Sequence, residues 1–291
     1  MKRRGFTLIE LLVVVAIIAL MLTITASALF RVREEGRAIV CRNNLKQMCL
    51  AAAVYTTDHD GNYPLSQFTW VGSSLFATLS GSKTLALESS QETHFFYGWD
   101  FTIIQESGQQ KITAGLLWQQ ETSGQVQQCP AHKSGSILEA VPYSGYNYNT
   151  SYIGHGEGER VNPNEFRGYV IDHPQISFVK IVMSARTVEV KNPGLCVLFG
   201  DGQYSRGANK FMRSPRPWEG DYDMMIRVGG TQGYRHNGKT NIGWCDGHVT
   251  AQRERYTDSA NAIQSQLDQY NQRNKIKIGF LSPDNRLYDL K

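Results

Sequence analysis

The chain has 291 residues and a mass of 32.7 kDa, with 41% apolar and 19% charged residues. This composition is sufficient for a buried core, and it excludes both a disordered chain and a multipass membrane protein. The 30 basic and 26 acidic residues leave a net charge of +4, which is too balanced for a protein that binds nucleic acid by neutralising phosphates. The 27 glycines predict a body rich in turns and strands.

The first element predicted along the chain is a long apolar helix. Phe6–Phe30 carries a single charge, Glu10, and as a helix it extends about 37 Å, enough for a hydrocarbon core of roughly 30 Å. Lys2, Arg3 and Arg4 precede it, and the positive-inside rule places such residues in the cytoplasm. The sequence therefore predicts one membrane-spanning segment followed by an exported body.

The same pattern has a second interpretation, a cleaved secretory signal peptide. Ala26-Ser27-Ala28 is an A-x-A cleavage site, and cleavage there would leave a soluble body that begins at Leu29. Two features favour an anchor. Placing the Glu10 carboxylate at the middle of a membrane costs about 2 to 3 kcal/mol. A signal peptide that is removed after export has no use for such a residue. The helical pattern also continues past the cleavage site as a heptad-like seam, which predicts one helix from Phe6 to about Thr57. The seam consists of Ala38, Cys41, Leu45, Met48, Ala52 and Tyr55.

The start of the helix carries a motif with a known parallel. From Arg4 to Ile18 the sequence is RGFTLIELLVVVAII, which resembles the class III signal of type IV prepilins and type II secretion pseudopilins at every motif position. The resemblance implies cleavage after Gly5 by a prepilin peptidase, N-methylation of the new amino terminus at Phe6, and a role for Glu10 in filament assembly. In a filament, Glu10 would pair with the amine of a neighbouring Phe6 and set the axial register between subunits.

The helix is predicted to end in an acidic turn, in a segment similar to the helix exit of major pseudopilins of type II secretion. Asp58, Asp60 and Asn62 have the one-three-five spacing of a calcium loop. The bidentate glutamate of an EF-hand does not follow, and such a run is more often a helix stop and turn. A weak calcium site and a simple turn are thus the two interpretations, and no other cofactor is expected.

The exported body is predicted to be a mainly antiparallel sheet with long loops, which makes the fold class α+β with the long helix packed on the sheet. Short apolar segments between residues 65 and 128 predict small strands or a short helix. A surface helix is expected within residues 256–274, followed by a last strand at Ile276–Leu281.

Sparse motifs recur in the body. They are Cys129-Pro130, Tyr146–Asn149, and His236 followed after nine residues by Asp246, Gly247 and His248. This order resembles large pseudopilin-like proteins of the planctomycete and lentisphaeran type, which carry a carboxy-terminal His, nine residues, Asp-Gly motif. From the residues alone, Thr240–Cys245 and His248–Gln252 predict a hairpin closed by a type I′ turn at Asp246-Gly247. Asn237-Gly238 predicts an earlier turn of the same kind.

A second strand, Cys196–Gly200, ends in Asp201 and is expected to lie beside the hairpin. His236, Asp201, Asp246 and His248 would then gather at one end of the sheet. Two histidines and two carboxylates suit a metal hydrolase, whereas Asp-Gly turns and a loop-fixing histidine are the simpler interpretation. Because no H-E-x-x-H motif, nucleophile elbow or P-loop supports catalysis, the chain is not expected to be an enzyme.

The five cysteines would face an oxidising space after export. Cys196 and Cys245, at neighbouring strand ends, are the first candidates for a disulfide. Cys41 lies on the helix seam and is interpreted as a small buried apolar residue.

These predictions divide the chain into a leader at 1–5, an assembly and transmembrane helix at 6–30, an amphipathic continuation at 31–57, and a body at 58–291 with the motif hairpin near 236–252. The expected function is a structural subunit of a type II secretion pseudopilus or type IV pilus-like filament. The alternative is an exported domain, anchored or secreted, that binds surface carbohydrate or polymer or acts as a hydrolase. Exposed aromatic rings at Trp70, Trp99, Trp118, Trp218 and Tyr146 would favour it.

The expected partners are the prepilin peptidase and N-methyltransferase, other pilin or pseudopilin subunits, and the bacterial inner membrane, but no nucleic acid. The amino terminus is expected in the cytoplasm and the body in the periplasm or outside the cell, with a surface filament as one outcome.

Overall fold

The computed structural model describes residues 6–71, 94–106, 109–118, 126, 128–132, 145–155, 168–173, 176–204, 207, 209–216, 227–257 and 261–291. Within them, one long helix leads into a body of short strands. The predicted α+β fold class is confirmed.

The long helix, α1, spans Leu8–Asp58 and is 51 residues long, or about 77 Å. It forms because no proline interrupts a run of apolar residues and good helix formers, and because Thr7 caps its first turn. It ends where Asp60 and Gly61 adopt left-handed φ angles of 52° and 80°, which stop the helical path. The single helix predicted from Phe6 to about Thr57 is confirmed to within two residues at its start and one at its end.

The body contains thirteen strands, one further helix and two 3-10 turns among the described residues. In chain order the strands are β1 Gln67–Val71, β2 His94–Gly98, β3 Phe101–Glu106, β4 Gln109–Ala114, β5 Tyr146–Asn149, β6 Gly168–His173, β7 Ile176–Val182, β8 Val197–Asp201, β9 Phe211–Met212, β10 Gln232–Gly233, β11 Thr240–Trp244, β12 Val249–Gln252 and β13 Ile278–Gly279. The second helix, α2, is Asn261–Arg273, and the 3-10 turns are Thr187–Glu189 and Arg227–Gly230.

The central sheet has five strands in the order β12-β11-β8-β5-β9. All neighbours are antiparallel except β5 and β9, which are parallel. Every residue of β5, β8 and β11 is buried. The predicted hairpin of β11 and β12 and the predicted neighbouring strand β8 are therefore confirmed.

Three smaller sheets complete the body. The strands β1 to β4 form an antiparallel meander, while β6 pairs with β7 and β10 with β13. Of the small strands or short helix predicted between residues 65 and 128, the described residues form the strands β1 to β4. The expected tail helix is α2, and the expected last strand is only the two residues of β13. Residues 72–93, which include part of the segment expected to form strands, lie outside the described part of the chain.

The second half of α1 lies on the central sheet, against β8, β11 and β12. All six predicted seam residues are buried, from Cys41, Leu45 and Met48 at 0% exposure to Tyr55 at 7%. Gly243 in β11 makes the close approach feasible, because a Cβ there would lie 2.6 Å from the sulfur of Cys49. The amphipathic continuation of the helix therefore forms one wall of the core.

The other wall of the core is aromatic. Trp99, Tyr148 and Phe199 lie with ring centroids 5.2 to 5.6 Å apart, and Trp99 joins the meander to the central sheet. Beside them, the buried Lys210 ammonium pairs with the Asp100 carboxylate and lies 3.2 Å from the centroid of the Phe101 ring. The two sheets are thus held together by aromatic packing and one buried ion pair.

Candidate functional site

The amino-terminal signal begins the described chain with a capping box. The Thr7 hydroxyl accepts a hydrogen bond from the Glu10 backbone N–H at 3.3 Å, and the Thr7 backbone N–H donates to Glu10 Oε2 at 2.8 Å. This arrangement satisfies amide groups that a helix start leaves without partners. Gly5, the predicted cleavage position, lies outside the described residues, and Phe6 precedes the cap. The structure thus assigns Glu10 a role in helix capping that the sequence motif did not predict.

The apolar half of α1 makes no contact that buries it. Among its large side chains, exposure ranges from 45% at Val14 to 80% at Leu8. The most apolar window of the helix is 0% buried, and its length and composition suffice to span a membrane. Nothing in the described part of the body covers this surface.

The His, nine residues, Asp-Gly motif spans the length of β11. His236 lies before β11. The Asn237-Gly238 turn follows His236 and leads into the strand at Thr240–Trp244. Asp246 and Gly247 follow the strand at its far end. The nine intervening residues are thus one tight turn, one strand and Cys245, so the spacing places the two halves of the motif at opposite ends of the central sheet.

The predicted gathering of four residues at one sheet end is therefore wrong. Because β8 and β11 are antiparallel, the end of β8 at Asp201 meets the start of β11, next to His236. The end of β11 lies beside the start of β8 instead, where the Asp246 N–H donates to Pro193 O at 3.2 Å. Asp201 and His236 come together, whereas Asp246 and His248 form a separate pair.

The Asp246–His248 pair lies in a surface turn. His248 Nδ1 is 2.5 Å from Asp246 Oδ1, and both side chains are more than 40% exposed. Slight burial raises the pKa of Asp246, but hydrogen bonds from His248 outweigh this effect and lower it. This half of the motif fixes a turn, as the simpler interpretation of the sequence predicted.

The turn itself differs from the predicted type I′ geometry. Only Gly247 has a positive φ, 86°, whereas a type I′ turn needs two such residues. The Gly247 N–H donates to Trp244 O and the Trp244 N–H to His248 O, which closes a three-residue loop with a left-handed glycine. The second predicted turn is confirmed, because Asn237 and Gly238 have φ angles of 51° and 75°.

At the other sheet end lies a buried cluster of four side chains that the sequence did not predict as a set. It consists of Cys41, Cys129, Asp201 and His236, with exposures of 0 to 2%. One thiol, carboxylate or ring-nitrogen atom from each lies within 4.8 Å of the others. The set combines α1, the loop before β5, the end of β8 and the start of the motif. We call it the Cys-Asp-His cluster.

The distances within the Cys-Asp-His cluster are short. Cys41 Sγ is 3.0 Å from Asp201 Oδ1 and 3.9 Å from Cys129 Sγ. His236 Nε2 is 3.7 Å from Cys129 Sγ and 3.4 Å from Asp201 Oδ2. The Asn241 backbone N–H also donates to Asp201 Oδ2 at 2.7 Å and fixes the carboxylate. All four side chains therefore point at one common volume.

The electrostatics favour ionised groups in this buried space. The contact with the Cys41 thiol, together with Arg235 and His236, lowers the pKa of Cys129 to about 5. Burial lowers the pKa of His236, but Asp201 and Cys129 outweigh it and raise that pKa to about 9. Burial likewise raises the pKa of Asp201, yet the cations His236 and Arg235 bring it below its usual value.

Arg235 supplies a second buried cation beside the cluster. Its guanidinium donates to Gly145 O at 2.7 Å and Gly202 O at 2.8 Å. It also donates to Gln203 Oε1 at 3.1 Å and lies 3.0 Å from His132 Nδ1. These bonds hold the positive charge in place, and they explain how two buried anions are tolerated.

The geometry does not suit nucleophilic catalysis. In a catalytic triad the histidine contacts the nucleophile through one nitrogen and the carboxylate through the other. Here Cys129 and Asp201 both approach His236 Nε2, and Nδ1 has no hydrogen-bond partner among the described residues. The arrangement is a convergent set of donors, which is able to hold a metal ion.

Sequence reasoning singled out His236 and Asp201 but missed Cys129 and assigned Cys41 an apolar role. Cys41 is buried on the seam as predicted, yet it hydrogen-bonds to Asp201, which corrects that interpretation. The signal available in the sequence was the Cys129-Pro130 pair, which is one of the sparse motifs before His236. Periodicity gave no indication that this loop cysteine lies near the helix.

The remaining cysteines form a second group, in which Cys49 and Cys196 are buried and Cys245 is half-buried. The Cys245 N–H donates to Cys196 O at 3.0 Å, and all five cysteines are free thiols in the structure. Burial first, and then the Cys196 thiol, raises the pKa of Cys245. The proposed partners Cys196 and Cys245 are thus neighbours, but the structure does not link them.

The acidic turn after α1 has the form of a helix stop. The Gly61 N–H donates to Thr56 O at 2.8 Å, and the Asn62 side chain donates to His59 O at 2.8 Å. The Arg186 guanidinium donates to the Asp60 carbonyl at 3.0 Å. The predicted turn is present, and the calcium site at Asp58, Asp60 and Asn62 stays a prediction.

The aromatic residues proposed as a binding surface point inward where they are described. Trp99 and Tyr146 are buried, Trp118 is half-buried against the core, and Tyr146 accepts a hydrogen bond from Asn44 at 3.2 Å. The side chains of Trp70 and Trp218 lie outside the described part of the chain. The described rings therefore do not favour a carbohydrate-binding surface.

One family model, described as a prokaryotic N-terminal methylation motif, matches residues 1–26. The chain has no match among the curated proteins or the solved structures. The match supports the prepilin-type signal, which implies processing by a prepilin peptidase and is typical of type IV pilin-like and pseudopilin precursors. Together with the exposed apolar helix, it fits a membrane-anchored protein.

Proposed function

We propose that this protein is a structural subunit of a type II secretion pseudopilus or a type IV pilus-like filament. The observation that carries the proposal is the apolar half of α1, which follows a prepilin-type signal and is left exposed by the body. The finer relation to large pseudopilin-like proteins, based on the carboxy-terminal motif, is part of the same proposal.

Burial of this surface drives assembly. Before assembly, lipid covers the helix, with the amino terminus in the cytoplasm and the body outside the inner membrane. In the filament, side chains between Phe6 and Phe30 that are now 45 to 80% exposed would pack against the helices of neighbouring subunits. The body is carried on the outside because only the second half of α1 is built into it.

Glu10 supplies the specificity of that packing. An isolated carboxylate among apolar helices is costly, and the cost falls when a cation lies beside it. After cleavage at Gly5, the methylated amine of Phe6 is the nearest new cation that a neighbouring subunit offers. Pairing of Glu10 with that amine would fix the axial register of one subunit on the next.

We further propose that the chain acts without catalysis. The Cys-Asp-His cluster is fully buried and has no triad geometry, and the Asp246–His248 pair fixes a surface turn. The partners are then a prepilin peptidase with N-methyltransferase activity, which acts on Gly5 and Phe6, and further pilin or pseudopilin subunits.

The test separates the charge of Glu10 from its role in the capping box. Glu10→Gln keeps an acceptor for the Thr7 N–H but removes the charge, whereas Glu10→Ala removes both. Thr7→Ala removes the cap hydroxyl and keeps the charge. The measurements are amino-terminal processing and the amount of sheared or cross-linked filament, made in the native host for each variant.

Both Glu10 variants are expected to be processed normally and to assemble poorly, while Thr7→Ala assembles close to normally. Wild-type filament yield from Glu10→Gln would contradict the charge pairing. Normal processing of the wild-type chain without any cross-linked subunits would contradict the filament function itself.

A further inference from the structure

We propose that the Cys-Asp-His cluster is a structural Zn²⁺ site that clamps α1 to the body. Its ligands would be Cys41 Sγ, Cys129 Sγ, His236 Nε2 and one carboxylate oxygen of Asp201. This inference is independent of filament assembly, because it concerns how the exported body holds its own helix.

The distances carry the proposal. With Zn–S near 2.3 Å and Zn–N or Zn–O near 2.0 Å, a tetrahedral site has edges of about 3.8 Å between sulfurs, about 3.5 Å from sulfur to nitrogen and about 3.3 Å from nitrogen to oxygen. The corresponding distances here are 3.9 Å for Cys41–Cys129, 3.7 Å for Cys129–His236 and 3.4 Å for His236–Asp201. Three edges of the tetrahedron are thus in place.

The fourth measured contact reaches the other carboxylate oxygen of Asp201 and is therefore not an edge of that tetrahedron. Cys41 Sγ lies 3.0 Å from Asp201 Oδ1, because the protonated thiol donates a hydrogen bond to the carboxylate. A metal held through Oδ2 replaces that proton, and Cys41 Sγ then needs to lie about 3.5 Å from Oδ2.

The donor set suits zinc. Two thiolates, one imidazole and one carboxylate are zinc ligands of closed structural sites, whereas hard cations such as Ca²⁺ and Mg²⁺ prefer oxygen alone. All four donors are buried, so no coordination position faces solvent. A closed site of this kind stabilises a fold and leaves no open position for a substrate.

The charges around the cluster balance with the metal bound. The two thiolates and the Asp201 carboxylate carry three negative charges, and Zn²⁺ with the buried Arg235 carries three positive ones. Loading releases the protons of Cys41 and His236, so no net charge is buried.

The main alternative is a disulfide between Cys41 and Cys129, since an exported body faces an oxidising space. Their sulfurs are 3.9 Å apart, whereas a disulfide requires about 2.05 Å. A disulfide would also leave Asp201 and His236 buried without their thiol partners. The geometry therefore favours the metal, and the two outcomes are distinguishable by mass and metal content.

A zinc clamp would join distant parts of the chain. Cys41 and Cys129 are 88 positions apart, and Cys41 and Asp201 are 160 apart. The site lies where α1 leaves the body toward its apolar half, so it would resist separation of the helix from the sheet. It also gives the histidine of the carboxy-terminal motif a role distinct from that of the Asp-Gly turn.

The experiment measures zinc in the full chain. The protein is purified in detergent under reducing conditions, loaded with ZnSO₄, passed over a chelating resin and analysed for metal by mass spectrometry. X-ray absorption at the zinc edge then counts sulfur and nitrogen or oxygen neighbours. We expect about one zinc per chain with two sulfur ligands near 2.3 Å.

Variants distinguish the site from adventitious metal. Cys129→Ser and His236→Asn are expected to lower zinc affinity at least about ten-fold, while the control Cys196→Ser, a buried thiol outside the cluster, retains it. Circular dichroism verifies that each variant is folded. Cobalt loading of the wild type gives a second measurement, because tetrahedral cobalt with thiolate ligands has characteristic absorption bands.

Three results would overturn the proposal. They are a wild-type chain that holds no zinc or cobalt after loading, zinc bound equally by folded Cys129→Ser and His236→Asn variants, and a Cys41–Cys129 disulfide in the chain isolated from its host. None of these results bears on whether the chain assembles into a filament, so the two proposals fail separately.

Discussion

His236 Nε2 lies 3.4 Å from Asp201 Oδ2, and this contact marks the end of the central sheet against which α1 is anchored. Asp201 completes β8, His236 precedes β11, and Cys41 brings the helix to the same point. The Asp246-Gly247 turn lies at the other end of the sheet, where the Lys46 ammonium donates to Gly247 O at 2.7 Å. The helix is thus held at both ends of the central sheet, by Asp201 at one end and by Gly247 at the other.

The seam of α1 is expected to contribute much of the stability of the body. Leu45→Ala should lower the free energy of unfolding by about 2 to 5 kcal/mol, because Leu45 is fully buried between helix and sheet. The matched control is Leu50→Ala on the same helix, where 64% exposure predicts a change within about 0.5 kcal/mol. Denaturant unfolding of the full chain in detergent measures both, and equal effects would contradict the packing of the seam.

Gly243 is expected to be essential for the close approach of helix and sheet. Gly243→Ala should destabilise the chain by about 1 to 3 kcal/mol, since the new Cβ would lie 2.6 Å from Cys49 Sγ. Adding Cys49→Ala removes that sulfur and should recover part of the loss. Gly36→Ala is the control, because a Cβ there meets nothing within 4 Å. If Gly243→Ala left the stability of the chain unchanged, the helix would lie farther from β11 than described.

Removing one partner of the buried Lys210–Asp100 pair is expected to destabilise the protein strongly. Replacing both partners by apolar residues is expected to change its stability little. Lys210→Met alone leaves a buried carboxylate and should cost about 3 to 5 kcal/mol, whereas Lys210→Met with Asp100→Leu should be close to neutral. Thermal unfolding of the three chains tests this order. If the single variant is as stable as the double variant, the carboxylate is not buried as described.

The same pair predicts a pH dependence. Burial lowers the pKa of Lys210 to about 8, from 10.5 in the unfolded chain. Between these values the unfolded state binds more protons than the folded state, so this group makes the protein more stable as pH rises from about 8 to 10.5. The measurement is the stability of the wild type relative to the double variant across that range. A difference that falls with pH would have the wrong sign.

The sequence predicted the helices and strands of this fold better than the contacts between them. The seam from Ala38 to Tyr55 could be predicted because apolar residues recur every three or four positions on one helix face. The hairpin could be predicted from the strand-like segments on either side of Asp246-Gly247. The position of Cys129 was not readable, because a loop residue has no periodicity to indicate its partner 88 positions away. Asp246 does not join His236 because the strand β11 lies between them, and the antiparallel strand β8 brings only Asp201 to the His236 end.

The role of Glu10 in the capping box is a second contact that the sequence motif did not predict. The prepilin-type signal predicted a carboxylate for assembly, and the local spacing of Thr7 and Glu10 also forms a capping box. One residue thus has a local and an intermolecular interpretation, and only a variant that separates charge from hydrogen bonding distinguishes them.

The mature amino terminus tests the central claim most directly. Cleavage after Gly5 removes five of the 291 residues, leaves 286, and keeps the whole apolar helix as an anchor. Mass spectrometry of the chain isolated from its host membranes is expected to find Phe6 as the first residue with one methyl group on its amine. A chain that begins at Leu29 and is released by osmotic shock without detergent would contradict the account, because it would lack the helix on which anchoring and assembly depend.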